Sequence, residues 1–144
     1  MNLLIDTNIL LDVLQFREPY FEASFQIWGA CEYDENVTGY ISAMSPMNIA
    51  YIMRKELTPE RTEEIFMTLV MAFKFVDLSM SILEKAADMK WHDFEDAVQS
   101  VTAENVNADY IITRNTKDFQ NSKIKALTPE EYFNNIIKIR KTRT

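Results

Sequence analysis

Apolar and polar positions fall in short blocks along this chain, and the block period changes. Leu3-Leu4-Ile5 is an apolar run that stops at Asp6-Thr7-Asn8, which predicts a buried strand ending in a polar turn. Ile9 to Gln15 reads as helix. After Pro19, Phe21, Phe25 and Trp28 recur at helical spacing, with Gly29 in the later turns. Val37 to Ser42 predicts a second strand. Ser45-Pro46 reads as a helix start, with a hydroxyl cap and then proline, and Ile49, Ile52 and Met53 supply an apolar face. Thr58-Pro59 opens another helix, followed by Phe75-Val76 as a third strand and Ser79 at the start of a further helix. Asp93 begins a helix with Phe94, Ala97, Val98 and Val101 on one side. Tyr110 to Thr113 is a fourth strand. Thr128-Pro129-Glu130-Glu131 is a capping box that opens the last helix.

Strands alternating with helices predict an α/β fold with a parallel sheet. With no repeats or linkers, the chain reads as one domain over residues 1–137 followed by a basic tail at 138–144. Open parallel sheets bind ligands beyond the carboxyl ends of their strands. That rule puts Asp6 and the Thr113-Arg114-Asn115 turn on one rim, although they are far apart in sequence.

Composition narrows the picture. At 144 residues and 47% hydrophobic content, one core can form. No run approaches the roughly 20 apolar residues of a membrane span, and the first residues lack a basic leader pattern. Cys31 is alone, so no internal disulfide is available. Together these lead to the expectation of a cytoplasmic protein with no membrane contact. The net charge is −7, which argues against wrapping nucleic acid by bulk electrostatics. It leaves hydrolytic chemistry open, since such a site needs carboxylates to hold cations. Only two glycines, Gly29 and Gly39, are present, so neither a dinucleotide fingerprint nor a P-loop can be built.

Three acids stand out by position. Asp6 follows the first strand, Asp96 lies in the first turn of the helix begun by Asp93, and Asp118 follows the fourth strand. Carboxylates converging on a rim suit hard cations such as magnesium or manganese. Each also has a plainer use: Asp6 as a helix cap, Asp93 and Asp96 against a helix dipole, Asp118 in a turn. Their combination at two strand ends and one helix start favours the metal site. His92 reads as a surface or turn residue, Cys31 as a small filler, and Met44, Met47, Met53, Met67 and Met71 as packing.

The opening Leu3-Leu4-Ile5-Asp6-Thr7-Asn8-Ile9-Leu10-Leu11-Asp12 resembles the first motif of PIN domains, including the VapC-like toxins. Asp93-Phe94-Glu95-Asp96-Ala97 resembles their central motif. Ala108 to Asn115, followed by Asp118-Phe119, resembles the last. The resemblance covers nearly the whole chain. It implies a three-layer sandwich with a central parallel sheet of four or five strands flanked by helices. It also implies a magnesium- or manganese-dependent endoribonuclease and, for many members, an antitoxin partner. Under it, Asp6, Asp96 and Asp118 hold the metal, with Asn115 beside them in the catalytic set. Asp93, Glu95, Asn48, Thr7 and Asn8 are weaker candidates, and Arg114 is the candidate RNA-phosphate contact. The sequence departs from the family pattern at Asn48, where relatives usually carry an acid, and at Asn115, where many have Asp. Asparagine ligates through its carbonyl but adds no negative charge.

Two other readings stay open here. One is a catalytically weakened PIN-like module that binds RNA or a partner protein, favoured by Asn48 and Asn115. The other is a receiver- or phosphatase-like domain with Asp6 as phosphoryl acceptor, for which no helpful lysine follows a later strand. A homodimer is expected from the aromatic and methionine-rich stretches Tyr20–Trp28 and Met44–Met53.

Overall fold

The computed structural model describes the backbone of residues 1–142 and the side chains of residues 1–139. Five strands form one parallel sheet: β1 (Asn2–Ile5), β2 (Thr38–Ser42), β3 (Lys74–Val76), β4 (Tyr110–Ile112) and β5 (Ala126–Leu127), in the order β3-β2-β1-β4-β5. β1 is central, and Leu3, Leu4 and Ile5 are fully buried, as an unbroken apolar run in a parallel sheet requires. The two-residue β5 at the sheet edge carries too little pattern to be read from sequence.

Helices cover both faces. Leu3 and Ile5 pack with α1 (Thr7–Leu14), α2 (Phe21–Tyr33) and α4 (Pro59–Ala72), through Ile9, Leu10, Ile27, Trp28, Ile65 and Leu69. Tyr132 of α7 (Pro129–Thr142) joins that cluster. Leu4 points to the other side, against Ala103 of α6 (Phe94–Asn105), with Ile111 and Phe119. α6 in turn packs on α5 (Met80–Asp88) through Ile82, Ala86, Val98 and Val101. The result is the expected three-layer α/β sandwich. Gly39 is needed on β2: a β-carbon there would lie 2.5 Å from Cys31 Sγ and 2.9 Å from a Phe73 ring carbon.

Local signals explain the helix starts. Thr58 and Ser79 cap α4 and α5 by accepting from Arg61 N and Ile82 N. The capping box of α7 is complete: Thr128 Oγ1 accepts from Glu131 N, and Glu131 Oε1 accepts from Thr128 N, both at 3.1 Å. α3 (Met44–Ile52) corrects the expected start at Ser45-Pro46. Ser42 Oγ accepts from Met44 N, and Pro46 sits in the first turn, where its missing N–H costs nothing. Ser45 is thereby buried instead of capping. The methionines also depart from expectation: Met53 is core, but Met47, Met67 and Met71 are exposed. α7 continues as helix across the start of the expected tail at Lys138, and residues 143–144 of that tail lie outside the described residues.

Candidate metal centre

The chain runs outward from β1 to β2 and β3, then returns to add β4 and β5 on the opposite side. The switch point therefore lies between the carboxyl ends of β1 and β4, where crossovers diverge and leave a crevice. Ile5 is in register with Ile112, so Asp6 and Thr113 emerge side by side. Asp6 holds the N-cap position of α1, yet its side chain makes no capping bond. Its Oδ2 instead accepts a 2.9 Å hydrogen bond from Thr113 Oγ1. The Thr113 hydroxyl also accepts from Asn115 N at 3.2 Å, so it links Asp6 to the turn after β4.

α6 delivers the second acid. Asp93 caps that helix, its Oδ1 accepting from Asp96 N at 3.1 Å. The cap fixes the first turn and leaves the Asp96 side chain directed at the crevice. A cavity of about 470 Å³ opens there, lined by Asp6, Thr7, Asn8, Asn48, Asp93, Glu95, Asp96, Gln99, Asn115 and Asp118 among others. Asp118 is brought in by a 3-10 helix at Thr116–Phe119, anchored by buried Phe119. Nine of the ten residues singled out in the sequence thus line one cavity.

The electrostatics follow from this crowding. Asp6 is 8% exposed, and burial lifts its pKa to about 6 against the lowering effect of the Thr113 hydrogen bond. Asp96 is lifted to about 7, first by burial and then by the charges of Asp93, Asp6, Asp118 and Glu95. A single carboxyl that feels four other acids marks a centre of concentrated negative charge.

Some residues take other parts. Thr7 is buried, and its hydroxyl shares a 2.8 Å hydrogen bond with Ser45 Oγ, tying α1 to α3. Asn48 Nδ2 donates to Glu95 Oε1 at 2.9 Å, so an acid from α6 occupies the neighbourhood where the family pattern expects one from α3. Arg114 is the residue the cavity does not include. Its Nε lies 3.1 Å from Asp12 Oδ2, and its guanidinium carbon sits 4.1 Å from the Tyr20 ring centre. His92 is exposed, and buried Cys31 has its thiol pushed up to about 12.

Three contributors escaped the sequence reading. Thr113 is placed by its sequence position at the end of a strand and on the rim beside Asp6, but its hydroxyl bond to Asp6 has no local signal. Gln99 is buried in the cavity wall with Oε1 unpartnered; its i+3 spacing from Asp96 was the available signal. Asp12 gave no signal beyond a charge in an apolar helix.

Among the described residues, no group of three or more acids, histidines or cysteines already stands at ion-holding geometry. The donor chemistry nevertheless fits a hard divalent cation. All donors are oxygens, and Asp96, raised by burial and then by the charges of four other acids, stands where a cation would offset their repulsion.

A parallel three-layer α/β domain with an acidic crevice at its switch point is the class these features define. The chain belongs to the PIN domain family, whose profile matches residues 2–117. It is similar in structure to a chain of a toxin-antitoxin complex from Klebsiella pneumoniae, at 27% identity and a TM-score of 0.65, covering 88% of this chain and 96% of that one. It also resembles VapBC-1 from nontypeable Haemophilus influenzae, at 15% identity, TM-score 0.68 and coverage of 90% and 99%. A further likeness is to Mycobacterium tuberculosis VapC20, a sarcin-ricin loop cleaving toxin, at 9% identity, TM-score 0.59 and coverage of 76% and 86%. No curated protein matches this chain.

Proposed function

We propose that this protein is a divalent-metal-dependent endoribonuclease, acting as the toxin of a toxin–antitoxin pair in the cytoplasm. The observation that carries the reading is the convergence of Asp6, Asp96 and Asp118 on one crevice at the switch point of a PIN fold, where burial and then the charges of four other acids raise the Asp96 carboxyl. Asp6, Asp96 and Asp118 would hold magnesium or manganese, with Asn115 and Glu95 beside them. The bound cation supplies Lewis acidity toward the phosphodiester and its attacking water. The chain's own work is positioning. Thr113 orients Asp6, Asp93 fixes the turn carrying Asp96, and Asn48 orients Glu95.

The likeness to a chain of a toxin-antitoxin complex supports an antitoxin partner. Two asparagines in place of acids support a second reading, a weakened module that binds RNA without cutting it. Incubation of purified protein with single-stranded RNA, manganese or EDTA, and an Asp6→Asn control separates the two. Manganese-dependent fragments lost in Asp6→Asn support the nuclease. RNA retention without cleavage supports the binding module.

A further inference from the structure

Arg114 sits between two residues of the acidic crevice, Thr113 and Asn115, yet its side chain runs inward. It reaches Asp12, a fully buried carboxylate on α1, at 3.1 Å, and lies over the Tyr20 ring. The approach lacks hydrogen-bonding direction, so both Arg114 Nε and Asp12 Oδ1 are buried without a hydrogen bond. Asp12 Oδ2 takes its one such bond from Ser24 Oγ at 3.0 Å. Asp12 is fully buried while Arg114 keeps part of its side chain at the surface, and holding a buried carboxylate with one oxygen unsatisfied costs stability. Specifying one geometry is a known use of such a pair.

That geometry bears directly on the site. α1 carries Asp6 at its start and Asp12 in its second turn. β4 ends at Ile112, and the turn beyond it gives Thr113 to Asp6 and Asn115 to Thr113. Arg114 therefore joins the far part of α1 to the middle of a turn whose first residue, Thr113, meets Asp6 at the near end of α1. Two attachments, one in the crevice and one in the core, fix the turn against rotation. The geometry points to Arg114 and Asp12 as a positioning clamp that sets the Asp6–Thr113–Asn115 array. Arg114 then does not serve as a contact to RNA phosphate. The inference rests on the nuclease reading for its kinetic test and is independent of it for its structural one.

The test uses the full chain, manganese and a single-stranded RNA oligonucleotide, with Arg114→Gln, Arg114→Lys, Asp12→Asn and the double variant Asp12→Asn/Arg114→Gln. A clamp lowers kcat by about tenfold to a hundredfold in Arg114→Gln and Asp12→Asn, with KM changed by less than about twofold. Arg114→Lys recovers part of the loss, and the double variant is no worse than the poorer single, because both remove one unit. A raised KM with kcat retained, and a shallower salt dependence, would overturn the clamp and give Arg114 to the RNA. Unchanged kinetics in both single variants would overturn it as well. Should wild type cut no RNA, the nuclease reading fails and amide exchange decides the clamp. The Asn115 amide, bonded to Thr113 Oγ1, should exchange at least about tenfold faster in Arg114→Lys and Asp12→Asn, while Ile5 and Ile111 keep their protection. Unchanged Asn115 exchange in variants with an intact core sinks the proposal.

Discussion

Thr113 Oγ1 donates to Asp6 Oδ2 at 2.9 Å, joining residues 107 positions apart across the neighbouring ends of β1 and β4. The hydroxyl holds the ionised carboxylate of a group whose burial favours the neutral form. Thr113→Val should therefore destabilise the fold more at about pH 8 than at about pH 5, with a loss of about 1–3 kcal/mol at the higher pH. Urea unfolding at both values measures it. Equal losses would mean that the bond does not serve the charged form.

Asp6→Asn should abolish cleavage and strengthen the fold together. The folded pKa of Asp6, about 6, stands above the ordinary 3.8. Its contribution to stability is thus fully present below the ordinary value and is lost as pH rises through the folded one. At about pH 8 the buried charge costs about 1–3 kcal/mol, which asparagine removes while keeping an acceptor for Thr113. Denaturation should find the variant more stable at about pH 8 and indistinguishable at about pH 4. Cleavage should fall at least about a hundredfold. A variant as cleavage-competent as wild type would remove Asp6 from the metal set.

The fold was legible because its signals are local and repeated. Leu3 to Ile5, the capping box at Thr128 and the caps at Thr58, Ser79 and Asp93 each act within a few residues. The acids Asp6, Asp96 and Asp118 were legible by their places at element ends. What was hidden depends on pairs distant in sequence. Nothing near Asp12 announces Arg114, nothing near Ser45 announces Thr7, and the partnership of Asn48 with Glu95 needs α3 and α6 to be side by side. A cation beside a candidate catalytic turn reads from sequence as a phosphate contact, and only the fold shows Asp12 beside it.

An exposed apolar groove of about 560 Å³ lies between α3 and α4, lined by Pro46, Met47, Ile49, Phe66, Leu69 and Phe75 among others. Met47 is 73% exposed at its edge. Self-association through this surface is the expected outcome at micromolar concentration, and Phe66→Glu should shift the population toward monomer. Sedimentation velocity on both proteins checks this. Monomer alone in wild type would refute the dimer.

Divalent cations should stabilise the protein, since they would offset the repulsion among the acids gathered around Asp96. Manganese at about a hundredfold above its Kd should add about 3 kcal/mol, and EDTA should reverse the gain. Manganese should exceed magnesium, which is held back by its reluctance to shed water and its demand for regular octahedral geometry. A melting temperature indifferent to both ions would count against a metal site in this crevice.

Asn48 brings an amide, not an acid, to the crevice. Asn48 Nδ2 donates to Glu95 Oε1 at 2.9 Å, so the amide presents Glu95 to the cavity that Asp6, Asp96 and Asp118 share. Glu95 would then supply a fourth carboxylate from α6 in place of one from α3. On this account, Glu95→Gln weakens manganese binding by about tenfold, while Asn48→Ala weakens it less, since the acid remains but loses its guide. Asn48→Glu alone sets two carboxylates against each other, and without a cation one of them must protonate or turn away. The exchange Asn48→Glu with Glu95→Gln restores one acid and one amide, and it should return affinity most of the way to wild type. Calorimetric titration of manganese into the five proteins decides the matter. If Glu95→Gln binds manganese as wild type does, Glu95 lies outside the metal set and the hydrogen bond to Asn48 merely joins α3 to α6. If Glu95→Gln loses affinity and the exchange fails to restore it, the acid must come from α6, and its position matters as much as its charge.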